Sequence, residues 1–325
     1  MVVTEPNLWP YLQDRADLVE RGLATEFVPA SDAGAVTDRL RGAFAYAGVP
    51  FDAAMAAAGT ELRLVQITAA GTDHVEVDAM PSGATVCNAF GHERSVAEHV
   101  VMVLLAARRG LLPADAALRQ GRWLTRMHGG GAEFATLDEL VVGIVGLGHI
   151  GRAVVGLLGA MGVRTRAVTR TPERARGDLP GLESVAGMDA VGALFDECDA
   201  VVLCAPHSPE TDGLVDRALA DRLGPHGTLV NVGRGGLVRD EELHAALSER
   251  TLGSAALDVW SAGIATDHGR PSAAEFERLD NVVMTPHYSA TATSTYRRRA
   301  DEVARNLIAV ATGAAPANVV RHARS

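Results

Sequence analysis

The sequence predicts an α/β protein of two doubly wound parallel-sheet domains with a cleft between them. Three observations carry that expectation. The chain has 325 residues, and at roughly 100–200 residues per domain that length suggests two. From residue 141 onward, short apolar runs alternate with amphipathic helical stretches, the pattern of strands covered on both faces by crossover helices. A glycine-rich turn, Gly146-Leu147-Gly148-His149-Ile150-Gly151, joins the first of those runs to the first of those helices.

Taken in order, RLRGAFAYA (39–47) and ELRLVQITA (61–69) read as buried strands, with helical DAAMAAAG between them. ATVCNAF (84–90) is a further strand. SVAEHVVMVLLAARRG (95–110) reads as one long helix, with Ser95 as N-cap and Glu98 at the capping-box spacing. The stretch 119–140 has no clean period and reads as a connecting arm. VVGIVGLG, VRTRAVT, AVVLCAP, GTLVNVG, GSAALDVW and NVVMTPH then read as strands, separated by helices. TYRRRADEVARNLIAVATG is a closing helix that returns to the first domain. The expected division is residues 1–110 plus 291–325 for a substrate domain, flavodoxin-like, and 111–290 for a nucleotide domain. Neither an internal repeat nor a low-complexity tract is visible.

Composition narrows the chemistry. Hydrophobic residues make 47% and charged residues 22% of the chain, an ordinary soluble mixture rather than a disordered one. A formal net charge of −10 argues against nucleic acid or an anionic membrane as partner. All 30 basic residues are Arg. That excludes a Schiff-base lysine, a pyridoxal-phosphate lysine and the Lys of a P-loop. The three cysteines, Cys87, Cys198 and Cys204, have no metal-ligand spacing and fit buried thiols in a reducing compartment. No metal site is expected. The opening residues lack a basic segment followed by an apolar core, and no stretch approaches the roughly 18 apolar residues of a membrane span. A cytoplasmic location is the expectation.

The glycine turn carries the first chemical assignment. Placed between strand and helix, Gly146 permits the tight turn, Gly148 lets a pyrophosphate approach the backbone, and Gly151 lets helix and strand pack. The helix start at His149 and Ile150 supplies N–H groups and positive dipole to phosphates. The second strand of such a domain ends at the residue that reads the adenosine ribose. Here that place holds Thr169, Arg170 and Thr171 rather than an acid, a set that suits a 2′-phosphate and so NADP, with NAD as the alternative. Glu173 lies nearby, and a plain surface arginine beside a turn is the competing reading.

Further segments carry a resemblance. QITAAGTDHVEVDA (66–79), VCNAFGHERSVAEHVVMVLLAARR (86–109), VGIVGLGHIGRAV (142–154), CAPHSPETDGLV (204–215), LVNVGRGGLVRDEEL (229–243), AALDVW (255–260) and VVMTPHYSA (282–290) occur in order over nearly the whole chain. Together they resemble the D-isomer-specific 2-hydroxyacid dehydrogenase family, which includes glyoxylate/hydroxypyruvate reductases and phosphoglycerate, phosphite and formate dehydrogenases. The resemblance implies a Rossmann domain and a homodimer formed through the 95–135 region. It implies that Arg234 grips the substrate carboxylate and reacting oxygen, a task suited to a planar fork of donors. His287 matches the catalytic acid/base. Ala70 and Gly71 match the loop whose main-chain N–H groups hold the carboxylate, and Asp258 the residue that orients the nicotinamide amide. Ala205, Pro206, Thr211, Val232 and Gly233 match turns that line the cofactor.

Two departures stand out. The family places a Glu after DV(F/W) to pair with the catalytic His; here that slot falls at Gly263, with Asp267 the nearest acid beyond it. Formate dehydrogenases use an Asn before SVAEH, where this chain has His92 followed by Glu93. Those two residues read either as lining a substrate pocket or as the solvated start of the helix. The reaction that the resemblance implies is hydride transfer between NADP(H) and a small 2-keto or 2-hydroxy acid. The alternatives are a formate-type oxidation without proton transfer and a dinucleotide-binding corepressor without turnover.

Overall fold

The computed structural model describes residues 1–72, 75–124, 133–175, 178–262 and 269–322. In chain order the first elements are β1 (Val2–Val3), α1 (Ala16–Val19), β2 (Glu26–Phe27), α2 (Ala33–Leu40), β3 (Ala45–Gly48), α3 (Ala53–Ala58), β4 (Leu64–Ile67) and β5 (Thr85–Cys87). Next come α4 (Glu93–Arg108), α5 (Leu111–Arg119), β6 (Val141–Val145), α6 (His149–Ala160), β7 (Arg164–Val168), β8 (Leu182–Ala186), α7 (Val191–Glu197) and β9 (Ala200–Leu203). The chain closes with α8 (Arg217–Leu223), β10 (Thr228–Asn231), α9 (Asp240–Ser248), β11 (Ser254–Leu257), β12 (Val282–Met284), α10 (Thr293–Ala311) and β13 (Val319–Arg321).

The chain divides into two α/β units, Met1–His92 with Thr291–Ser325, and Glu93–Ala290. In the first, the sheet order is β13-β5-β4-β3-β1-β2. Strands β5, β4, β3, β1 and β2 pair in parallel in flavodoxin-like order, and β13 joins the edge antiparallel to β5. Apolar clusters cover both faces, one around Tyr46, Phe51 and Leu62, the other around Leu8, Leu12, Leu64 and Leu307. In the second unit the order is β12-β11-β10-β9-β6-β7-β8, parallel throughout. Strand order reverses between β6 and β9, and that switch point is where parallel sheets of this kind open a crevice at their carboxyl ends. Strands β6, β9, β10 and β11 are buried along their whole length because clusters pack on both faces.

Several boundaries differ from the sequence reading. The expected domain boundary near 110 falls at 92/93, because α4 buries Val96, Ala97, Val100, Val103 and Leu104 in one cluster with Val154 and Leu158 of α6. That helix starts at Glu93, so Ser95 is not its N-cap; its hydroxyl donates to the Ser289 carbonyl at 2.6 Å. The strand expected over 39–47 is shortened to β3. Asp32 caps a helix before it, accepting from Ala35 N at 3.0 Å, and Val36 and Leu40 form that helix's buried side. Helix α5, Leu111–Arg119, ends where the stretch read as an arm begins. Strand β8 escaped detection because Glu183 and Ser184 are exposed in its middle. All three cysteines are free, and burial pushes their thiols up to about 12.

Candidate active site

The loop after β6 lies at the switch point. Gly146 has φ +96°, and its N–H donates to the Val168 carbonyl at 2.8 Å. A Cβ on it would lie 2.8 Å from Ala205 N, in the loop after β9. On Gly151 a Cβ would lie 2.1 Å from the Gly146 carbonyl oxygen. Gly148, the N-cap of α6, is different: nothing lies within 4 Å of the space a Cβ would fill. The three glycines thus build a tight turn, a close helix–strand contact and an open main-chain cradle. His149 is exposed and Ile150 half-buried at the helix start that faces it. Main-chain N–H groups and positive dipole at the start of a twelve-residue helix fit the pyrophosphate of a dinucleotide.

Thr169 follows β7 directly, and its N–H donates to the Ala186 carbonyl at 3.0 Å. Arg170 is exposed beside it, and Thr171 begins a turn that Arg174 N closes at 3.0 Å. No carboxylate stands at the strand end itself. Glu210 sits within electrostatic reach of Arg170; its pKa is held down first by the Ser208 hydroxyl and least by that guanidinium.

After β9, Ala205 is buried and Pro206 exposed. Thr211 ties this turn together, its hydroxyl donating to the Pro206 carbonyl at 2.9 Å and accepting from Ser208 N at 2.8 Å. After β10, Asn231 organises the next turn. Its Oδ1 accepts from Gly233 N at 3.1 Å and its Nδ2 donates to the Arg234 carbonyl at 3.0 Å. Val232 and Gly233 are buried there, and a Cβ on Gly233 would lie 2.7 Å from the Ala205 carbonyl. Arg234 is half-buried and extended, and its Nη1 donates to the Gly233 carbonyl at 2.8 Å. The main chain of Trp260 packs on Gly235, where a Cβ would come within 2.2 Å, and the Trp260 indole donates to the Thr285 carbonyl at 2.9 Å. The turns after β10, β11 and β12 therefore interlock.

Asp258, just past β11, is 1% exposed. Its Oδ1 accepts from the Thr285 hydroxyl at 2.6 Å and from Tyr288 N at 3.1 Å; its Oδ2 accepts from Ser289 N at 3.1 Å. Between these donors stands His287, half-buried, with φ +56°. His99 of α4 approaches the same oxygen as Thr285 and Tyr288, its Nε2 3.9 Å from Oδ1 and 3.4 Å from the Thr285 hydroxyl. Burial pushes the His99 pKa down, against a smaller upward pull from Asp258. Sequence reasoning passed over His99 and Thr285. The one available signal was a polar ring on the apolar side of a helix, among Val96, Val100 and Val103.

Ala70 and Gly71 belong to the first unit, half-buried after β4. Asn88 Nδ2 donates to the Ala70 carbonyl at 2.7 Å, and Gln66 Nε2 donates to the Asn88 carbonyl at 3.0 Å. Gln66 in turn accepts from Asn306 of α10 at 2.8 Å. His92 is buried, which removes the solvated reading for it, while Glu93 is half-buried. Gly263 and Asp267 lie outside the described residues. Among the described residues no group of three or more His, Cys, Asp or Glu is placed to hold a metal ion. No helix among them is long and apolar enough to cross a membrane.

Residues 101–289 match a family model described as D-isomer specific 2-hydroxyacid dehydrogenase, NAD binding domain. A glyoxylate reductase of Korarchaeum cryptofilum is 31% identical over 273 residues, 83% of this chain and 80% of that protein. A D-3-phosphoglycerate dehydrogenase of Mycobacterium leprae is 33% identical over 79% of this chain but 46% of its own length. The chain thus spans about half the length of the phosphoglycerate dehydrogenases it matches. Among solved structures, the NADPH-dependent glyoxylate/hydroxypyruvate reductase of Sinorhizobium meliloti, in complex with NADP and malonate, has TM-score 0.77 and 27% identity. That match covers 98% of this chain and 95% of the other. An NAD complex of a D-isomer specific 2-hydroxyacid dehydrogenase from Lactobacillus delbrueckii, TM-score 0.80 at 20% identity over 99% and 100%, supports the fold alone.

Proposed function

The chain belongs to the D-isomer specific 2-hydroxyacid dehydrogenase family, and from that premise we propose that it is an oxidoreductase moving a hydride between NADP(H) and a small 2-keto or 2-hydroxy acid. The observation that carries this reading is the clustering of loops at the carboxyl ends of one parallel sheet. Gly146–Gly151 follow β6, Arg234 follows β10, Asp258 follows β11 and His287 follows β12. The bound dinucleotide supplies or accepts the hydride. Main-chain N–H groups at Gly148 and the start of α6 hold its pyrophosphate. Thr169, Arg170 and Thr171 hold a 2′-phosphate, with NAD the alternative cofactor. Ala205, Pro206, Thr211, Val232 and Gly233 border the same nucleotide. Arg234 grips the substrate carboxylate and its reacting oxygen with two donors at once. Ala70 and Gly71 offer main-chain N–H groups to the carboxylate, which makes the first unit the substrate domain. In reduction, His287 gives a ring proton to the oxygen as the carbonyl carbon takes the hydride; in oxidation it takes that proton back.

A homodimer formed through the 95–135 region is part of the reading. It is supported by the exposure there of Met102, Leu111, Leu112, Leu118, Trp123, Leu124 and Phe134. A reducing, cytoplasmic setting fits the three free cysteines.

The test is dinucleotide oxidation over a panel of 2-keto acids, with NADPH and NADH in parallel. Turnover of at least one small keto acid is expected, and Arg234→Lys should lose nearly as much of it as Arg234→Ala, because lysine lacks the fork. No turnover with any keto acid, together with tight dinucleotide binding, returns the corepressor reading. Activity on formate alone, unchanged in His287→Gln, returns the formate-type one.

A further inference from the structure

The second unit holds a buried carboxylate that accepts three hydrogen bonds from one short turn. Asp258 accepts from Thr285, Tyr288 and Ser289, using both oxygens. A carboxylate 1% exposed is tolerated only when its oxygens are satisfied, so these bonds are strongly held. Two lie immediately after His287 and one lies two residues before it. His287 itself has a left-handed backbone, one of four non-glycine residues with positive φ among the described residues. For a residue with a Cβ that conformation persists only where its surroundings over-determine it. The Trp260 indole adds a hold on the Thr285 carbonyl from the same side of the turn.

His99 completes the arrangement from α4. Its ring stands 3.9 Å from Oδ1 of Asp258, 3.4 Å from the Thr285 hydroxyl, and edge-on to the Tyr288 ring at a centroid distance of 5.4 Å. It shields the carboxylate from water and backs both ends of the turn. Because burial favours its neutral form, it does so without neutralising Asp258 by a full opposite charge.

We propose that Asp258 is a positioning residue for His287, backed by His99: its carboxylate clamps the 285–289 turn on both sides of the histidine and so fixes the direction of the imidazole. This rests on the reading of His287 as the proton carrier. It is a different role from one at the nicotinamide amide: three of the carboxylate's roughly four accepting positions serve the turn.

The experiment combines a spectroscopic and a kinetic readout on the full-length protein. The ring signals of His287, assigned by their loss in His287→Gln, are followed by NMR in wild type, Asp258→Asn, Thr285→Val and His99→Gln. An asparagine keeps the shape but turns one acceptor into a donor facing a donor, so the His287 signals should shift and broaden in Asp258→Asn. Thr285→Val removes one of the three bonds and should move them in the same direction by less; it also carries the test if Asp258→Asn does not fold. With the keto acid found by the panel, kcat should fall about a hundredfold in Asp258→Asn, the scale of a misplaced catalytic group. In the same variant KM for the dinucleotide should change less than about threefold. Unmoved His287 signals in both variants overturn the proposal, whatever the activity. Unmoved signals with a raised dinucleotide Kd assign Asp258 to the nucleotide instead. Because the NMR arm needs no turnover, a protein inactive on every keto acid whose His287 signals still move in Asp258→Asn keeps the clamp and loses only the functional reading.

Discussion

The two units shape their turns by opposite means. In the second, Glu93–Ala290, loop shape depends on side chains being absent. A Cβ on Gly146, Gly151, Gly233 or Gly235 would meet backbone at 2.8, 2.1, 2.7 or 2.2 Å. In the first, the Ala70–Gly71 turn depends on side chains being present: Asn88 holds the turn, Gln66 holds Asn88, and Asn306 holds Gln66. The first device fails by steric clash with backbone, near in sequence for Gly151 and far along the chain for Gly146, Gly233 and Gly235. The second is distributed along the chain and fails by leaving buried polar groups without partners.

The sharpest way to break the comparison is a pair of alanines in one loop. Gly151→Ala should destabilise the second unit by about 3 kcal/mol, since the new methyl meets an immovable carbonyl. Gly148→Ala meets nothing within 4 Å, so its Tm should stay at the wild-type value while dinucleotide affinity falls. Thermal melts with and without NADPH separate the two, and equal loss of Tm in both would erase the distinction between packing and cradle.

Next in size is the amide chain of the first unit. Asn306→Leu strands the Gln66 acceptor and the Ala317 main chain, with which Asn306 exchanges bonds at 2.8 and 3.1 Å. The expected cost is about 2 kcal/mol in urea unfolding. KM for the keto acid should rise while dinucleotide affinity holds. A change in dinucleotide affinity alone would mean that the two devices are not separate.

A smaller effect is expected at the end of β7. Arg170→Ala removes one charge-assisted contact of about 1.5 kcal/mol, so the preference for NADPH over NADH should shift about tenfold. Equal losses for both cofactors would remove the 2′-phosphate assignment.

The smallest effect concerns pH. Burial lowers the His99 pKa in the fold, so as pH falls the unfolded chain takes up that proton first. Stability is full above the ordinary imidazole value of about 6.5 and declines below it. Urea midpoints measured from pH 8 to pH 5 should therefore fall more steeply for wild type than for His99→Gln. Parallel curves would show that His99 carries no proton-linked cost.

Legibility followed the same divide. The glycine turn was readable because its three glycines lie within six residues, at a recognisable spacing between a strand and a helix. Strands β6, β9, β10 and β11 were readable because burial on both faces makes them continuously apolar. Strand β8 was not, since two of its five residues, Glu183 and Ser184, are exposed. Ser95 misled for a related reason: its spacing to Glu98 satisfies a capping box, yet its hydroxyl is taken by Ser289, far along the chain. The boundary near 110 went wrong because an apolar helix says that it is buried but not against what. Asp258 was found by resemblance, but His99 and the donors around His287 were not.

What the sequence determined by itself was therefore whatever repeats at short range: the alternation of elements, the glycine turn, and the absence of lysine with the chemistry that absence excludes. What only the tertiary structure decided was which distant residues meet: α4 on α6, Asn306 on Gln66, His99 and Asp258 around the turn that carries His287. Local pattern is written in spacing, because a helix or strand face repeats every few residues. Contacts across the fold depend on how whole elements pack, and a buried carboxylate finds its donors only once that packing has closed around it.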